Sequence, residues 1–207
     1  MITIIIIVLT CLVSIPAFSN RDFFYRFDFA PYTVNERKEY YRFLTHAFLH
    51  GDWTHLFFNM FVLYTFGRAA QGYFEVYLGN IGLLYFVLLY LGGIIFAVLP
   101  TFNKHKNNPS YHSIGASGAV SAVLFSYIIF SPSSELTLLI FPFFGLPSIV
   151  WGIAYLAYEH YQSRKGNTNI NHDAHLTGAL YGIVFTLITV PKSLSSFIDQ
   201  ITYLLKF

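Results

Sequence analysis

Six stretches of this chain are apolar over lengths that suit lipid better than a protein core, and this restricts the fold more than any other feature. They run roughly over Ile2–Phe18, Thr54–Ala70, Asn80–Leu99, Gly115–Phe130, Pro147–Tyr161 and Ala174–Val190. About 17–25 apolar residues carry a helix across a bilayer, whereas a soluble core shows shorter apolar runs broken by polar faces. Backbone N–H and C=O groups find no water in hydrocarbon, so a crossing segment must satisfy them internally, and each block is expected to be helical. Charge usage agrees. Only 11% of the residues are charged, against about 25% in soluble domains. The expectation is an all-α membrane protein, residues 1–207 forming one domain with six transmembrane helices.

Prolines punctuate the blocks. Pro100, Pro132 and Pro191 are expected to end the third, fourth and sixth. Pro142 and Pro147 interrupt the fifth, so Leu136–Leu146 is expected to be an irregular interfacial or buried segment. The tail Lys192–Phe207 is amphipathic and expected at the membrane surface. The connection Asn20–Trp53 carries five basic and five acidic residues with many aromatics, which marks an interfacial element packed at the headgroup level. Ala17 and Ser19 could stand before a signal-peptidase cut, but no positive residue precedes the first block, so it is expected to be retained. A net charge of +2 with no basic stripe argues against nucleic acid as a partner. Cys11 is the single cysteine, which excludes an internal disulfide and any zinc spacing of cysteines.

Ionisable and strongly polar residues inside apolar spans are costly, and each is a candidate for function. Three groups stand out. In the run from Arg42 to Asn59, His55 and Asn59 are four apart and so share a helix face; both carry N–H donors. As an isolated pair they would equally serve as hydrogen-bonding glue between helices. Gly115-Ala-Ser117-Gly118 opens an apolar helix, its glycines leaving the serine hydroxyl accessible. It is not the Gly-x-Ser-x-Gly elbow of soluble hydrolases, because position 119 is alanine and no strand precedes it. His175-Leu-Thr-Gly178-Ala-Leu-Tyr-Gly182 places a histidine beside a Gly-x-x-x-Gly face on which another helix can lie close. Jointly the groups supply what a serine nucleophile needs: a base within about 3 Å and donors aimed at an oxyanion. Ser117 and His175 provide the first; Asn59, His55 and the Ser117 backbone N–H could provide the second. Asp173 is two residues from His175, so a helix points it elsewhere, and no third acid is expected.

These residues resemble the rhomboid family of intramembrane serine proteases over essentially the whole chain. The matching parts are Arg42-Phe-Leu-Thr-His46-Ala-Phe-Leu-His50 leading to His55 and Asn59, then Gly115-Ala-Ser117-Gly118, then Ala174-His175 before Gly178 and Gly182. The resemblance implies a six-helix core without a seventh helix, a Ser117–His175 dyad, and Asn59 and His55 at the oxyanion. It implies membrane-spanning protein substrates within a lipid bilayer, no cofactor and no metal, and a bacterial plasma membrane as the expected location. Both termini are then cytoplasmic, although nine of the twelve basic residues fall outside on that topology, against the usual charge bias. Two departures are visible. Many members carry an aromatic four residues after the nucleophile, stacked on the base; here Ser121 stands there, so something else must hold the imidazole. Gln71 occupies a position where members often carry glutamate. The alternative reading is a non-catalytic rhomboid-like binder of membrane helices. A metal or haem site on His46, His50 and His55 is a further alternative, while His-Glu-x-x-His and Gly-x-Gly-Asp protease motifs are absent.

Overall fold

The computed structural model describes residues 2–138, 141–166 and 170–206. The chain is mostly helical. Helix α1 is Ile2–Ala17. Three short helices, α2 (Arg21–Phe27), α3 (Pro31–Arg37) and α4 (Arg42–Thr45), build the first connection. Helix α5 (Trp53–Val62) continues through a π-turn at Leu63–Gly67 into α6 (Arg68–Leu78). Then come α7 (Gly82–His105), α8 (Ser117–Phe130), a hairpin of β1 (Glu135–Leu138) and β2 (Phe141–Pro147), α9 (Ser148–Lys165), α10 (His172–Thr189) and α11 (Lys192–Leu204).

By length and composition one helical run, Trp53–His105, is able to cross a membrane, and α10 with α11 passes only as a pair bent by 112°. The 53-residue run would measure roughly 80 Å if straight, far more than the about 30 Å of hydrocarbon. It folds back instead: Gly79 takes φ +61°, and α6 packs on α7 beyond it. Helices α1 and α8 are apolar but have only 16 and 14 residues.

Helix α8 is the centre of the bundle. From Ala119 to Phe130 every residue but Leu124 is buried, against α7, α10, the π-turn and α6. Its closest neighbour is α10, and sequence makes that approach possible. A Cβ at Gly178 would lie 2.1 Å from the Gly118 carbonyl oxygen, and one at Gly182 would lie 2.1 Å from that of Ala122. The Gly-x-x-x-Gly face thus brings two backbones into direct contact, where packing and Cα–H···O contacts hold them. Buried Thr186 adds a hydrogen bond to Ser126, 2.7 Å.

The first connection is fastened to the loop before α8. Buried Arg42 donates to Asp28 Oδ1 at 2.7 Å and to Glu39 Oε2 at 2.7 Å. The other Asp28 oxygen meets His112 Nδ1 at 2.7 Å, and Phe29 exchanges backbone hydrogen bonds with Ser113. Burial pushes the Asp28 carboxyl up from its ordinary range, against the opposing pull of His112 and Arg42.

Three expectations are corrected. Pro100 does not end its helix; α7 runs on to His105. Thr101 beyond it bonds Asn171 and Lys104 pairs with Asp173 at 3.0 Å, so tertiary contacts hold the helix through the break in its hydrogen-bond ladder. Leu136–Leu146 is not irregular throughout. It pairs as an antiparallel hairpin with Leu136 opposite Leu146 and a register shift after Thr137, which gives its backbone groups partners; residues 139–140 lie outside the described ones. The second block extends past Ala70 to Leu78.

Candidate active site

Ser117 is the first residue of α8, at the end of a non-helical approach that enters the bundle. Gly115 and Ala116 in this approach are buried among the helices. Gly115, with φ +107°, donates its N–H to the His46 carbonyl at 3.0 Å. A Cβ there would lie 2.8 Å from the His55 ring, so glycine lets the imidazole sit against this approach. From α10, His175 Nε2 meets Ser117 Oγ at 2.7 Å. For the hydroxyl to donate, Nε2 must be bare and the ring proton must sit on Nδ1.

His55 and Asn59 both lie on α5. Gly51 N–H donates to His55 Nδ1 at 3.5 Å, which leaves Nε2, beside Gly115, as the protonated nitrogen. Asn59 is buried, and its amide donates to the His55 carbonyl at 3.1 Å. Among the described residues no hydrogen bond joins either side chain to Ser117. A cavity of about 10 Å³ adjoins the serine, lined in part by Ser113, Asn171 and Ala97; it has room for about one water.

His46 and His50 are buried structural groups. His46 Nδ1 donates to the Arg42 carbonyl at 2.9 Å. Ser14 Oγ donates to the Phe48 carbonyl at 2.6 Å, so the 2.9 Å contact with His50 Nδ1 takes its proton from the ring. Burial lowers their titration, to about 4 for His46 and about 3 for His50. Exposed Asp52 caps α5 by accepting from the His55 N–H at 2.8 Å. Gln71 accepts from Thr3 Oγ1 at 2.9 Å and donates to Glu75 at 2.8 Å, joining α1 to α6.

The expectation that no acid attends the base is overturned. Asp173 does turn away, to Lys104 and Ser163. A different acid arrives from α9: Glu159, 4% exposed, with Oε1 3.0 Å from His175 Nδ1. The contact is at ion-pair distance without the alignment of a good hydrogen bond. Its other oxygen accepts from His172 Nδ1 at 2.5 Å. One turn earlier on α9, Tyr155 lies near-parallel to the His175 ring, 25° between planes and 6.5 Å between centroids, with its hydroxyl 2.7 Å from Ser121 Oγ. An aromatic therefore does face the base, from α9 instead of α8. The signal for Glu159 was in the sequence: it is an ionisable residue inside the fifth apolar block, the very criterion that singled out the other groups.

Glu159, His172 and His175 are the one cluster among the described residues whose three ligand-type atoms lie within 4.8 Å of one another. Ligands of a tetrahedral zinc ion stand roughly 3.3 Å apart. The 2.5 Å contact between Glu159 and His172 is that of groups sharing a proton, and the 3.0 Å approach to His175 is also closer than ligands of one ion would stand, so the cluster is better suited to holding an imidazole than an ion.

Comparison with known proteins places the chain in a family. Residues 37–192 match the Rhomboid domain family. The chain is 31% identical over 179 residues to rhomboid-like protein 11 of Arabidopsis thaliana, a chloroplast protein, covering 82% of this chain and 59% of that one. It is 30% identical to the mitochondrial RHOMBOID-like protein 12 of the same plant, over 66% of this chain and 42% of the relative. It is 29% identical to YdcA of Bacillus subtilis, named as a candidate rhomboid protease, over 74% and 69%. The chain thus spans about three fifths of the first of these relatives and two fifths of the second. Their compartments differ, so the family fixes a membrane without naming which one, and the bacterial assignment does not follow from it. On the match over residues 37–192, the chain belongs to the rhomboid family.

Proposed function

We propose that this protein is an intramembrane serine endopeptidase that cuts membrane-spanning segments of other proteins, its six spans being α1, α5 with α6, α7, α8, α9 and α10. The observation that carries the reading is the 2.7 Å contact between His175 Nε2 and Ser117 Oγ across two helices in backbone contact. His175 takes the hydroxyl proton as general base while Oγ attacks a peptide carbonyl. The carbonyl electron pair moves onto oxygen, and the oxyanion is met by the Ser117 backbone N–H, Asn59 and His55 Nε2. His175 then protonates the leaving amine, and water hydrolyses the acyl-enzyme by the reverse sequence of proton transfers. The name of the Bacillus relative supports protease chemistry.

A fluorophosphonate probe tests this without knowledge of the substrate, because it phosphonylates only a serine activated by a nearby base. Purified protein in detergent should label at Ser117 alone. Labelling, and cleavage of a transmembrane test substrate, should vanish in Ser117→Ala and His175→Ala. A well-folded protein that neither labels nor cleaves is the outcome expected of a non-catalytic helix binder, and it overturns the protease reading.

A further inference from the structure

Helix α9 presents two side chains to the base from one face, because Tyr155 and Glu159 are four residues apart. Tyr155 lies near-parallel to the ring at 6.5 Å between centroids, and Glu159 places a buried carboxylate 3.0 Å from Nδ1, the nitrogen that must carry the proton if Nε2 is to accept from Ser117. We propose that Glu159 is a positioning residue for His175, fixing its tautomer and stabilising the imidazolium formed when the Ser117 proton moves to Nε2. The proposal rests on the protease reading and adds a third, acidic member to a serine–histidine pair.

The geometry supports this beyond proximity. Loss of the Ser117 proton to Nε2 leaves both ring nitrogens protonated, and the positive charge then lies against Glu159. A buried carboxylate at this distance favours the charged ring. The resting misalignment has a visible source: the same carboxylate is held at 2.5 Å by His172 Nδ1, one turn before His175 on α10. Catalytic hydrogen bonds are often loose in unliganded enzymes and tighten with substrate bound, and a gain of charge on His175 pulls the carboxylate in that direction. The other titratable groups around His175 are His172 on its own helix, Tyr155 on α9 and His55 on α5. None of these is an acid that ionises near neutrality, so among the described residues Glu159 alone supplies compensating negative charge.

The test is the pH dependence of fluorophosphonate labelling and of kcat/KM in detergent, for wild type, Glu159→Gln, Glu159→Asp and His172→Gln. Glu159→Gln should lower the plateau at least about tenfold. It should also shift the acid limb of the profile, which the loss of a merely structural contact would leave in place. Glu159→Asp should recover part of both effects, and His172→Gln should cost much less than Glu159→Gln. If Glu159 serves only as the buried partner of His172, the two glutamine variants lose activity alike and the acid limb stays in place, which overturns the proposal. Wild-type protein that fails to label sinks the protease reading itself, a different result. Should Glu159→Gln not fold, histidine ¹⁵N shifts of wild-type protein above neutral pH decide instead. His175 protonated on Nδ1 is expected, and a ring protonated on Nε2 overturns the assignment.

Discussion

Asn59 is buried yet spends one amide hydrogen on the carbonyl of its own helix, at His55. That bond orients the amide and leaves its second N–H free of it, and in the proposed mechanism this N–H meets charge that develops only in the transition state. Asn59→Ala should therefore lower kcat by about 10²–10³-fold, as for other oxyanion donors, with a much smaller change in KM. Turnover of a transmembrane substrate at saturating and limiting concentrations checks this; a collapse of binding with unchanged kcat would make Asn59 a packing residue. At this scale the sequence was informative about residue types and poor at partners. Ser117, His175, Asn59 and His55 could be named because each is polar where apolar residues are expected. Glu159 was legible as an ionisable residue within an apolar block, but that it and Tyr155 face His175 depends on which way α9 is turned, and single-chain periodicity does not give the rotation of one helix against another. Ser121 looked like a missing ring; it is the hydroxyl partner of a ring supplied from elsewhere.

Between elements, the α8–α10 contact sets the reach from Ser117 to His175. The face was legible in advance from Gly178 and Gly182. Gly178→Ala would put a methyl 2.1 Å from the Gly118 carbonyl oxygen, a backbone atom one residue from the nucleophile that no side-chain rotation can relieve. The helices must separate, at a cost of about 1–3 kcal/mol. The expected result is a lower Tm in detergent together with at least tenfold slower fluorophosphonate labelling; labelling at the wild-type rate would show that the dyad does not depend on this contact. What misled the reading of elements was proline. Pro100 sits inside α7 because Thr101 and Lys104 have partners beyond it, and the hairpin forms although Pro142 lies within it. In both places tertiary context outweighed a local rule that is sound for isolated segments.

For the molecule as a whole, His46 and His50 tie stability to pH. Folded, they hold no proton until pH about 4 and about 3; unfolded histidine binds one near 6.5. Between those limits the unfolded chain carries more protons, so stability falls as pH drops below about 6.5. At about 1.4 kcal/mol per pH unit of displacement, the two rings together could remove several kcal/mol by pH about 4. Thermal unfolding in detergent should show Tm falling from pH 7.5 to 4.5, less steeply in His50→Phe; a flat profile would contradict their burial as neutral rings. The bend between α10 and α11 bears on a separate matter, the depth at which the chemistry takes place. If α11 lies along one membrane surface, as its amphipathic face and the 112° turn suit it to do, α10 becomes a ruler fixed to that surface. From Thr189 back to His175 it measures roughly 21 Å, within a hydrocarbon layer of about 30 Å. The dyad then sits some 9 Å beneath the opposite surface, level with a residue about six positions inside a helical substrate's span. On the proposed protease reading, a bond at that depth, and not one at the bilayer midplane, is the one within reach of Ser117.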